Sequence, residues 1–145
     1  MNETIHRFGY PETLIAEYPH WVVLLRPEQP TVGSLVLAAK GDAEAFGDLS
    51  PEAFSELATV IAAIEQALTQ AVNYQKINYL MLMMVDRHVH FHVIPRYDGE
   101  RMVAGISLPD AGWPKAPALG QSVALDSAQV AALCGAIRNA WPSAR

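Results

Sequence analysis

Hydrophobic positions fall into several textures along the 145 residues. Two short apolar runs come early, residues 21–26 (WVVLLR) and 34–40 (SLVLAAK), separated by the Pro- and Gly-bearing segment PEQPTVG. Runs of that length with turn residues between them predict two paired strands, and residues 14–18 predict a third, weaker one. The texture then changes period. Phe54, Leu57, Ile61, Ile64, Leu68 and Val72 recur every three or four positions, one stripe of a helix. Ser50 suits its N-cap, Pro51 the first helical position, and Glu52 the positive end of the helix dipole. Residues 76–85 (KINYLMLMMV) predict a strand covered on both faces. Residues 88–94 alternate strictly until Pro95: Val89, Phe91 and Val93 point one way, His88, His90 and His92 the other. Residues 97–125 contain Pro109, Pro114 and Pro117 without clean periodicity and predict a long loop. Residues 126–141 predict a closing helix with Val130, Leu133, Ile137 and Trp141 on one side. The order β-β-α-β-β-α predicts an α+β fold, an antiparallel sheet with helices against it.

Composition narrows the class. Apolar residues make up 51% and charged residues 17%, enough to build a core and incompatible with wholesale disorder. The length fits one domain spanning 1–145. A net charge of −5 argues against a protein that wraps duplex nucleic acid or coats an anionic membrane, since both reward clustered Lys and Arg. Cys134 is the only cysteine, so no internal disulfide and no Cys-based zinc site is expected; it reads as a small buried hydrophobe. The start, MNETIHRFGYPETL, lacks a basic segment leading into an apolar one, and the densest apolar run, 79–85, is far short of a membrane span. A cytoplasmic protein is the resulting expectation.

The candidate chemistry is concentrated on the alternating strand. Alternate strand residues share a face about 6–7 Å apart, so His88, His90 and His92 form a row of imidazoles backed by the apolar opposite face. Such a row has three uses. One imidazole can attack phosphorus while its neighbours orient it and protonate the leaving group. Two or three can bind a divalent metal through neutral nitrogens. Or the row is a hydrogen-bonded sheet face without special chemistry; three titrating groups stacked together make that less economical than for a lone histidine.

The segment His88-Val-His-Phe-His-Val-Ile-Pro-Arg96 resembles the His-x-His-x-His-x-x-Pro-Arg signature of the histidine triad (HIT) family of nucleotide-binding hydrolases and transferases. The order of elements over roughly residues 20–97 agrees with it, leaving 98–145 as loop plus C-terminal helix. The resemblance implies an antiparallel meander of about five strands with two main helices, usually a homodimer with one continuous sheet. It implies a substrate with a nucleoside joined through phosphate to a leaving group: a dinucleoside polyphosphate, as for the diadenosine tetraphosphate hydrolase-like members, a nucleoside phosphoramidate, or an adenylated amine. His90 would attack the α-phosphorus to form a nucleotidyl-histidine, which water would release as mononucleotide. His88 and His92 would flank it, and a flanking imidazolium would stabilise developing charge. No cofactor and no metal are needed.

The sequence also departs from the family pattern. Family members often carry Gly-Gln-Ser/Thr upstream of the triad; here the stretch is Met83-Met84-Val85-Asp86-Arg87-His88. A family Pro-Lys-x-His stretch corresponds to Ala39-Lys40-Gly41-Asp42, and an acidic residue or Asn that holds ribose corresponds to Arg26. Two readings follow. In one, Asp86, Arg87 or Asp42 takes over substrate contacts; in the other, the protein binds nucleotide and turns over slowly. Arg96 is either a phosphate ligand or a sheet-end residue paired with Asp98 or Glu100. Asn78 faces either a nucleotide or a structural hydrogen-bond partner. Met81, Met83 and Met84 read as core packing, Trp113 as a lid or sheet cover, and Asp110 and Lys115 as solvated. His6 and His20 read as structural.

Overall fold

The computed structural model describes residues 1–142. Its elements run α1 (Glu3–Arg7), β1 (Leu14–Glu17), β2 (Trp21–Leu25), β3 (Glu28–Gln29), β4 (Leu35–Ala39), α2 (Pro51–Val72), β5 (Lys76–Leu80), β6 (His90–Arg96), β7 (Glu100–Val103), β8 (Ile106–Pro109), β9 (Val123–Ala124) and α3 (Ser127–Ala140). Five of the strands form one antiparallel sheet in the order β1-β2-β4-β6-β5, as the α+β pattern predicts.

The unbroken apolar runs become the central strands because both sheet faces are covered. Every residue of β2 and β4 is buried. Trp21, Val23, Leu25, Leu35, Leu37 and Val93 face the main core with α2 and α3. Val22, Leu24, Val36 and Ala38 form a second, smaller core on the opposite face with Ile5, Phe8 and Tyr10. The N-terminal helix that supplies this second cover has no apolar periodicity to announce it. It is held by Asn2, whose Oδ1 accepts from the Ile5 amide at 3.0 Å while its Nδ2 donates to the Ala39 and Gly41 carbonyls at 3.0 and 2.8 Å.

Helix α2 starts as its sequence predicts, with Ser50 Oγ accepting from the Ala53 amide and Pro51 in the first turn. It ends at Asn73, which takes a left-handed φ of 56° and returns its amide to the Leu68 and Thr69 carbonyls. The buried face is turned from the expected stripe. Ala53, Val60, Ala63, Ile64, Ala67, Leu68 and Val72 are buried, and Phe54 is 40% exposed. Small alanines let the helix backbone approach its neighbours, so the contact centres on them rather than on the largest side chains. Asp126 and Gln129 close a reciprocal capping box on α3.

Three expected boundaries move. The strand expected over 76–85 ends at Leu80, whose partner His92 is the last in its register; Met83 then turns through φ 45°. His88 lies before β6 rather than in it. The expected loop over 97–125 contains a hairpin, β7 against β8, closed by Ala104 and Gly105 at φ 52° and 78°. A two-residue turn with both central residues at positive φ matches strand twist, and Ala in place of the usual Asn or Asp hides it from sequence. The same region ends in β9, which pairs with β3.

Candidate active site

The cross-strand register sets the histidine positions. His90 lies opposite Ala38 of β4 and His92 opposite Val36, which in turn lies opposite Leu24 of β2. All three histidines are buried, at 4%, 2% and 7% exposure for His88, His90 and His92, so they do not form a solvated face. Phe8 covers the row, its ring centre 5.5 Å from that of His90 and 5.9 Å from that of His92. The two imidazoles meet edge to face at 5.0 Å.

Each imidazole has a different Nδ1 partner. His90 Nδ1 lies 2.7 Å from the His88 carbonyl oxygen. A carbonyl only accepts, so Nδ1 carries the proton and Nε2 keeps its lone pair. Nε2 has no protein partner among the described residues, and none of their buried polar side-chain atoms is unpaired; it therefore opens on the cleft that His90 lines. His92 Nδ1 accepts from Arg26 Nε at 3.4 Å, which leaves its proton on Nε2. Burial first, then the neighbouring His90 and Arg26, push the His92 pKa down to about 4, against a weaker opposing pull from Asp86. His92 is thus neutral at pH 7 and is not the expected flanking imidazolium; Arg26 brings a positive charge against its ring. His88 Nδ1 lies 2.9 Å from Thr4 Oγ1, which also accepts from the His88 amide at 3.3 Å.

The cleft has a volume of about 270 Å³ and is walled by Phe8, Arg26, Glu28, residues 82–86, His90 and His92. Met83 and Met84 therefore belong to its wall rather than to the core; Met84 is 85% exposed, because the chain has left the sheet by then. A larger depression of about 530 Å³ lies among Tyr18, His20, Glu52 and Glu56, and none of the three histidines lines it.

The other candidate residues scatter. Asp86 lines the cleft and pairs with Arg7 at 3.1 Å. Arg87 pairs outward with Glu44 at 3.4 Å, and Asp42 lines a separate depression with Met1, Asn2 and Lys40. Arg96 is buried and fully engaged: Nε and Nη2 donate to Asp110 at 2.7 and 3.1 Å, Nη1 to Asn78 Oδ1 at 2.7 Å, and Nη2 to the Lys115 carbonyl at 2.7 Å. Its acidic partner is neither Asp98 nor Glu100, and Asp110, expected in solvent, is buried because it closes this pair. Trp113 stands beside Arg96, Asn78 and Lys115 at the sheet edge, not over the histidines. Thr4, Phe8 and Glu28 gave no sequence signal, since their partners are distant in the chain. Among the described residues no group of three His, Cys, Asp or Glu side chains converges as a metal-ligand set; the three Nδ1 atoms are committed to different partners.

The HIT domain model matches residues 8–99, more than half of the chain. Several solved structures share the fold. A histidine triad protein from Bradyrhizobium japonicum is 23% identical with a TM-score of 0.72, over 96% of this chain and 95% of its own. One from Sinorhizobium meliloti 1021 is 21% identical with a TM-score of 0.74, over 96% and 94%. A hypothetical histidine triad nucleotide-binding protein from Sulfolobus tokodaii strain7 is 18% identical with a TM-score of 0.70, over 94% and 88%. A search of curated protein sequences returned no match. The triad motif, the five-stranded sheet that carries it and the domain match agree: this chain belongs to the HIT domain family.

Proposed function

We propose that the protein is a nucleotide hydrolase or nucleotidyl transferase acting on a dinucleoside polyphosphate or a nucleoside phosphoramidate. His90 Nε2 attacks the α-phosphorus; a P–N bond to the imidazole forms as the bond from phosphorus to the leaving group breaks, and the leaving group takes up a proton. Water then attacks the nucleotidyl-histidine and restores His90, releasing the mononucleotide. One observation carries this reading: the His88 carbonyl holds the His90 proton on Nδ1, leaving the nucleophilic nitrogen facing the cleft. His92, neutral with its N–H on Nε2, donates to a phosphate oxygen, and His88 supports the row through its carbonyl. Of the polar residues weighed from sequence as substrate contacts, Asp86 is the one that lines this cleft.

A second reading, nucleotide binding with slow turnover, draws on the wall at Leu82, Met83, Met84 and Val85. It offers no side-chain hydroxyl or amide near His90. The two separate by intact mass. Protein mixed briefly with nucleoside phosphoramidates and dinucleoside polyphosphates should gain an acid-labile nucleotidyl mass on His90, and His90→Ala should gain none. Binding by calorimetry with neither adduct nor mononucleotide product would leave the second reading in place of the first.

The working unit in this proposal is a homodimer. Among the described residues β5 pairs only with β6, leaving its outer edge open, and Leu82, Met84 and Val85 beside it are 50%, 85% and 84% exposed.

A further inference from the structure

The cleft contains a fixed positive charge, Arg26, of which only Nε, through His92, bears on the attack on phosphorus. Arg26 follows β2 on the same side of the sheet as Val22 and Leu24, and its amide bonds the Ser34 carbonyl at 3.0 Å. One step on from the Leu35–Val93 pairing, that places Arg26 level with Ile94, two residues beyond His92 and four beyond His90. Its side chain reaches back over β4 to His92 from the end opposite His90. Nη1 is anchored on the Glu28 carbonyl at 2.5 Å and on Ser122 Oγ at 3.3 Å, and Nε on His92. Nη2 has no partner among the described residues and is not sealed from solvent, so it is a free donor in the cleft wall. A phosphorus within about 3–3.5 Å of His90 Nε2 keeps its oxygens beside His90 and His92. The Arg26 donor therefore faces a different part of whatever occupies the cleft. A guanidinium donor suits carboxylate and phosphate oxygens alike, and in a nucleotide the oxyanion on offer is phosphate.

We infer that Arg26 is a specificity residue that binds a second phosphate of the substrate, distinct from the one His90 attacks. The inference rests on the nucleotide reading above. The second phosphate is either on the sugar or next along the polyphosphate chain; both present anionic non-bridging oxygens. The Glu28 carboxylate also lines the cleft and acts on Arg26, so it competes for the guanidinium.

The test is calorimetric binding of the 5′-monophosphates, 5′-diphosphates and 3′,5′-bisphosphates of adenosine and guanosine to the full chain. Wild type should bind a diphosphate or a bisphosphate about tenfold more tightly than the monophosphate, the scale of one charge-assisted contact. Preference for the diphosphate puts the second phosphate along the chain; preference for the bisphosphate puts it on the sugar. Arg26→Gln should bring the ratio to within about twofold; whatever it changes through His92 falls on all the ligands alike and cancels in the ratio, and a far-UV circular dichroism spectrum matching wild type shows that the fold is intact. Arg26→Lys, which keeps the charge, should retain part of the preference, and Glu28→Gln should increase it. No preference in wild type, or a preference that survives Arg26→Gln, would each overturn the inference while nucleotide binding stands. Failure of every nucleotide to bind would overturn the nucleotide reading, and this inference with it.

Discussion

His90 and His92 are separated by one residue and both leave Nε2 free of protein partners among the described residues, yet in opposite states: a carbonyl holds the His90 proton on Nδ1, and a guanidinium on Nδ1 leaves the His92 proton on Nε2. That difference has a pH consequence. The folded protein keeps His92 neutral down to about pH 4, whereas an unfolded histidine takes up its proton near 6.5. Between those values the unfolded chain binds more protons, so the stability contributed by His92 is full above pH 6.5, falls as pH drops toward 4, and changes no further below that. The span corresponds to at most about 3 kcal/mol. Urea unfolding at a series of pH values should show this slope in wild type and a shallower one in His92→Gln; equal slopes would mean that His92 titrates normally. At this scale the three histidines of the triad were legible, because alternation and the motif are local. The neutral state of His92 was not. That depends first on burial, then on His90 and on Arg26, which is 66 residues away and meets His92 only through the β2–β4–β6 register.

Among the elements, the segment after β6 is fastened by Arg96. The guanidinium joins the end of β6 to Asp110 after β8, to Asn78 on β5 and to the Lys115 carbonyl. Removing it leaves the Asp110 carboxylate, 1% exposed, without its partner. Breaking a buried pair from one side costs about 3–5 kcal/mol, so Arg96→Met should lose that much stability in denaturant titration. The nucleotide affinity of the remaining folded protein should stay near wild type. A selective loss of affinity at unchanged stability would instead make Arg96 a phosphate ligand. The elements that could be read in advance were those with a strong period or an explicit cap: α2 from Ser50-Pro51, α3 from the spacing of Val130, Leu133 and Ile137, and β2 and β4 from unbroken apolar runs. The hairpin of β7 and β8 and the helix α1 were hidden for physical reasons. Ala104 occupies a turn position where Asn or Asp would have signalled it, and α1, only five residues long, is held by distant contacts rather than by its own pattern.

For the whole molecule, the sheet has one edge at β1 and the other at β5, and the proposed dimer uses the second. Sedimentation velocity should give twice the 15.8 kDa chain mass for wild type, and a monomer for the double variant Leu82→Asp, Met84→Asp. A monomeric wild type would remove the dimer from the proposal. Among the described residues no helix is long and apolar enough to cross a membrane. The general architecture followed from the order of elements, but the shape of the cleft did not, because its walls come from residues 8, 26, 28, 82–86, 90 and 92, brought together only by folding. The cover on the histidine face has a further consequence in time. Thr4 finds its partner 84 residues downstream at His88, and Phe8 finds its partners at His90 and His92. Residues 2–8 thus leave the ribosome long before their docking surface exists. Their contacts with the histidines must wait until β6 has entered the sheet, so this segment, made well before the strand it covers, completes its docking late, and the triad imidazoles stay uncovered until it does.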